Sequence, residues 1–147
     1  LKAAVDSTKV QSTPFMAEVE NEDSEPREAS SVGINGISEI LGADYSAWKG
    51  QFHDTPQSVI KKIQDYNCEK GTSIFLINEH GQIGCLADDN ESATKIKGIP
   101  AHSFFVGHKK FGGRDDVDKN SVKWSFVPNF SQEFYVVTPT DFSALDL

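Results

Sequence analysis

The sequence predicts a mainly β protein of the α+β kind: an antiparallel β-sandwich or barrel with one flanking amphipathic helix. Three observations carry this. Only one stretch, residues 54–68, repeats its apolar residues at helical spacing. At least six stretches alternate apolar and polar residues or concentrate β-branched and aromatic types, with Gly, Pro, Asn or Asp between them. Most of these stretches follow one another directly, which favours antiparallel neighbours over strand–helix–strand units.

The helix is read from DTPQSVIKKIQDYNC. Asp54 or Thr55 can cap it, and Pro56 suits the first helical position, where no N–H is needed. Val59, Ile60, Ile63 and Tyr66 make one apolar face, and Lys61, Lys62, Gln64 and Asp65 lie opposite. Asn67 and Gly71 are its stop signals, so the helix is expected over 55–67. The strands follow. TSIFLIN (72–78) and QIGCLA (82–87) form a hairpin around Glu79-His80-Gly81, and ADDNES (87–92) is a loop. TKIKGI (94–99) is a strand that Pro100 ends or bends. SFFVGHKKF (103–111), SVKWSFV (121–127) and EFYVVTP (133–139) complete the set, with Val122, Trp124 and Phe126 on one face as core. In the tail, Phe142 and Leu145 are candidates to dock it.

The first fifty residues differ in character. Segment 17–31, AEVENEDSEPREASS, holds six acidic residues and no aromatic, so it is expected to be a loop or an arm that orders against a partner. A short strand is expected before it around Lys9–Met16, and a turn and strand after it, over VGINGISEILGA. The chain therefore divides into a 1–50 segment with an acidic arm and a 51–147 β-rich core. Its first residue is Leu1, so either the start was processed away or the numbering begins inside a longer chain.

Charge narrows the functions. Twenty-two acidic against 14 basic residues leave a formal charge of −8. That opposes tight nucleic-acid binding, which needs clustered Lys and Arg, and binding to an anionic membrane surface. There is no run of 18 apolar residues to span a bilayer. Cys68 and Cys85 are too few for a disulfide scaffold or a four-cysteine zinc site; they either pair across a hairpin or are buried free thiols, and the second reading is favoured.

The stretch RDDVDKNS poses the one metal question. Asp116, Asp118 and Asn120 alternate as a calcium loop begins. Position six is Ser121 instead of Gly, position twelve is Val127 instead of Glu, and strands flank the loop in place of helices. A charged crown on a long hairpin, in solvent or reaching a neighbouring subunit, is the better reading, and changing Asp116 and Asp118 to Asn is then expected to disturb assembly more than folding. His53, His80, His102 and His108 have no metal spacing; the last two would stand about 20 Å apart along one strand. There is no nucleophile elbow and no phosphate loop. No catalytic, cofactor-binding or metal residue is assigned, and no enzyme activity is expected.

One resemblance adds to this. SFFVGHKKFGGRDDVDKNSVKWSFVPNFSQEFYVVTPTDF, with IFLINEHGQIGCLADD upstream, resembles structural proteins of tailed bacteriophages of the kind found in phages and prophages of Bacteroidota. It covers roughly residues 50–147 and lies in the run of hairpins with aromatic strands. The resemblance implies a tail-tube or neck ring protein assembled in the host cytoplasm into a virion. Its partners would be copies of itself and other virion proteins, its acidic lumen would let DNA slide, and it would need no cofactor. The alternative is a secreted adhesin or carbohydrate-binding β-sandwich, with calcium on Asp116, Asp118 and Asn120 and a sugar on Tyr45 or Trp48. A small Asp/Glu–His hydrolase ranks last.

Overall fold

Alternating residues and short turns do build a mainly antiparallel β structure with one α-helix. The computed structural model describes residues 11–22, 25–29, 38–87 and 95–146. Its larger sheet has the order β1–β4–β10–β9–β5, formed by Met16–Asn21, Ser46–His53, Lys119–Phe126, Ile99–Lys110 and Ser73–Ile74. A second sheet orders β11 (Phe134–Val137), β7 (Ile83–Ala87) and β6 (Leu76–Ile77), with β8 (Ile96–Lys97) also on β7. Together they make a curled antiparallel sheet, a half-barrel.

The curl arises where two chain segments change sheets. TSIFLIN is one strand by pattern, but it divides at Phe75: Ser73–Ile74 pairs with β9, and Leu76–Ile77 pairs with β7. TKIKGI divides likewise at Gly98 into β8 and the start of β9. Pro100 does not end a strand. It lies inside β9 opposite Ser73, and the neighbouring Ala101 N–H supplies the bond to Thr72 O. Further along β9, register shifts against β10 add bend and twist.

The core lies on the inner face. Phe52, Val122, Trp124, Phe126, Phe104 and Val106 point inward, and Ile60 and Ile63 of α1 (Gln57–Gln64) close over them. Trp48 stacks on Trp124, and Phe126, Phe130 and Phe134 carry aromatic contact across to the second sheet. The helix is tied to β9 by Asn67, whose side chain accepts from Val106 N–H and donates to Val106 O.

Several expectations change in detail. The helix cap is not Asp54 or Thr55. Pro56 takes the cap position, Thr55 donates to His53 O, and Asp54 has φ +46 and faces the hairpin crown. The α-helix proper stops at Gln64, and turns carry the chain to Cys68, which adopts φ +63 and donates its N–H to Phe104 O. β4 runs across residue 50, and β1, which enters the acidic segment at Ala17, is an edge strand of the main sheet. Of the strand expected around Lys9–Met16, Lys9 and Val10 lie outside the described residues, 11–15 form no strand, and β1 begins only at Met16. The 87–92 loop is outside them too, except for Ala87. At the tail, Ala144 is buried and Phe142 half-buried, whereas Leu145 is exposed.

Candidate assembly surfaces

The crown between β9 and β10 is stapled. Gly112 N–H donates to Asp118 Oδ1 at 2.9 Å, and Lys109 Nζ stands 3.4 Å from Asp118 Oδ2. Asp54 N–H donates to Asp118 O, and Asp118 N–H returns to Asp54 Oδ1. Asp116 pairs with Lys119 at 3.0 Å. That bond and the Val117 N–H hold the Asp116 carboxyl below its usual range, and Asp116 in turn raises Lys119. Gly112 has no room for a side chain, because a Cβ there would overlap the backbone of Asp116 and Val117.

D-x-D-x-N therefore does not converge. Asp116 turns to Lys119, Asp118 to Gly112 and Lys109, and Asn120 is 1% exposed in the core, donating to Gly107 O. Among the described residues no group of three His, Cys, Asp or Glu is placed to hold a metal. Alternation sends every second residue to one face only while the strand is regular, and the β10 ladder begins at Lys119. The two cysteines are unbridged: Cys68 is exposed, and Cys85 is buried, which pushes its thiol pKa up.

The outer face of the main sheet is open and polar. Strand register places Lys49 beside Lys123 and Lys123 beside Phe105, then Ala47, Ser125 and Ser103. The Ser103 and Ser125 hydroxyls are 2.6 Å apart. At the end of these rows Tyr45 stacks on His102 with centroids 4.2 Å apart, both rings exposed. Trp48, by contrast, belongs to the inner face. At the opposite end of the sheet, Phe15 and Phe111 are exposed near the crown.

The least expected feature joins the end of the acidic segment to the strand expected after it. β2 (Pro26–Ala29) and β3 (Glu39–Ala43) form a two-stranded ribbon that, among the described residues, pairs only with itself. Ile40 and Leu41 are 66% and 64% exposed on it. Two strands alone are marginal in water, so such a ribbon needs something to pack on. Elsewhere, Ile83, Ile96, Val137, Thr138, Pro139 and Phe142 line an open depression of about 320 Å³. β3 agrees with the strand expected at the end of VGINGISEILGA; β2 was hidden by the acidic composition of 17–31.

No family model matches the chain, and no solved structure matches it. An arylsulfatase of Hemicentrotus pulcherrimus is 29% identical over 59 residues, which is 40% of this chain and 11% of that protein. The chain thus spans about a ninth of the curated relative it matches. Among the described residues no helix is long and apolar enough to cross a membrane.

Proposed function

We propose that this chain is a non-enzymatic, self-assembling structural protein, of the tail-tube or neck-ring kind in a phage virion, built from copies of itself with other virion proteins. The observation that supports the reading is the β2–β3 ribbon, a self-paired projection with Ile40 and Leu41 turned to solvent. A lone chain gains nothing from displaying two large aliphatic side chains on a marginal ribbon, whereas a neighbour that covers them stabilises both. The net charge of −8 is consistent with copies that repel in bulk and join only where apolar surfaces meet. Electron microscopy and native mass spectrometry of the purified chain at rising concentration test the reading. Rings or tubes of fixed copy number are expected; a monomer at every concentration ends it.

A second reading has its own observation. The exposed Tyr45–His102 stack beside the Ser103 and Ser125 hydroxyls is a ready platform for a pyranose ring, as in a secreted carbohydrate-binding module. Divergence of Asp116, Asp118 and Asn120 removes the calcium element from that reading. Glycan-array binding that disappears in Tyr45→Ala would favour it over assembly.

A further inference from the structure

We infer that the β2–β3 ribbon of one copy docks in the depression beside β11 of the next, with Ile40 and Leu41 entering it. The inference rests on the assembly reading above and names its contact. Three observations lead to it.

Shape is the first. The knob is Ile40 with its chain neighbour Leu41, both exposed at the register shift opposite Arg27 and Glu28, where a bulge interrupts strict alternation, and the depression, with its mainly aliphatic and aromatic lining, is about 320 Å³. That is the lower end of the roughly 300–1,000 Å³ of ligand-sized clefts, suited to a few side chains more than to a large ligand.

Charge is the second. Glu28 sits opposite Ile40 in the ribbon register, Glu39 precedes it, and Glu25 and Asp44 lie at the base, against one Arg27. Beside the depression Lys95 precedes Ile96 in the chain, and Asp141 stands in the lining, where Arg27 can meet it. A long exposed lysine side chain such as that of Lys95 can swing its ammonium group to such a rim. Glu28, Glu39, Arg27 and Lys95 have no ion partner within the chain among the described residues.

Topology is the third. Knob and depression are different surfaces of one chain, so the contact is head-to-tail. Repetition of such a contact closes a ring or continues as a tube, depending on the rotation at each step. β11 is also a sheet edge with Val136 exposed, so a docked ribbon would cover an otherwise open strand.

The test places one cysteine on each surface, Leu41→Cys and Thr138→Cys, in a Cys68→Ser background; both positions are exposed enough for the change to leave the fold intact. A short bis-maleimide is added under assembling conditions. The double variant is expected to give a ladder of dimers, trimers and higher species on a denaturing gel, and each single variant none. Ile40→Asp is expected to weaken association about tenfold or more while leaving the melting curve of the monomer in place. If particles form but no ladder appears, or if Ile40→Asp assembles as the parent does, this docking is wrong and the assembly reading stands. If the parent chain remains monomeric throughout, the assembly reading fails and the docking with it.

Discussion

Asp118→Ala is the perturbation that most directly tests how the crown is held. In the parent, Asp118 Oδ1 accepts from Gly112 N–H at 2.9 Å and Oδ2 faces Lys109 at 3.4 Å. A hydrogen bond to a charged acceptor contributes about 1.5–3 kcal/mol when sheltered. The Asp118 side chain is 32% exposed, so solvent lowers that figure, and the Lys109 pair adds about 0.5 kcal/mol. The expected loss is about 1–2 kcal/mol, or a fall in Tm of about 3–8 °C for a chain of this length. Urea unfolding followed by tryptophan fluorescence reads it through Trp48 and Trp124, with calcium and with chelator in parallel. A change under about 0.3 kcal/mol would refute the staple. So would a calcium-dependent rise in the parent midpoint that Asp118→Ala abolishes, because the carboxylate would then be an ion ligand. The sequence reading expected Asp-to-Asn changes at 116 and 118 to disturb assembly more than folding; Asp118→Asn would keep an oxygen to accept from Gly112 N–H, so Asp118→Ala is the change that tests the staple.

Three further outcomes are expected. The Asp116 carboxyl, depressed by Lys119 and the Val117 N–H, contributes stability present above the unfolded carboxylate value of about 3.9 and lost as pH falls through its own lower value. An NMR titration of its side-chain carbon should give a midpoint below the usual value that moves back toward it in Lys119→Met. Asn120→Asp places a carboxylate at a site 1% exposed beside Gly107 O, so at neutral pH it should cost at least about 3 kcal/mol in denaturant unfolding. Because burial raises that carboxyl in the folded state, the variant should recover stability as pH is lowered; equal loss at acid pH would contradict the reason given. Gly84→Ala drives a methyl to 2.8 Å from Phe134 Cζ and should destabilise by about 1–3 kcal/mol, with Phe134→Leu relieving part of it by calorimetry.

What was legible in the sequence was whatever a short window of chain decides. The α1 face follows from Val59, Ile60 and Ile63 at helical spacing, and β10 from the alternation of Val122, Trp124 and Phe126, because those periods are properties of the backbone itself. The weakness of RDDVDKNS as a calcium loop was also local, being a matter of a missing Gly and Glu. Tertiary structure decided the rest. Phe75 and Gly98 became the points where strands change sheets, because the half-barrel must turn a corner there; no residue preference marks Phe75, and Gly98, where a Cβ would lie 2.8 Å from that of Ser73, carries only a local hint. Asp54 left the helix cap for the crown because two reciprocal bonds with Asp118, 64 positions away, outweigh one local cap. Trp48, inside β4, packs into the core, whereas Tyr45, just before β4 begins, stacks on His102 in solvent. Above all, the first fifty residues were divided. Met16–Asn21 became an edge strand paired along β4, and β2 with β3 a ribbon of its own, because pairing depends on which edge is open in space, and composition averages over both.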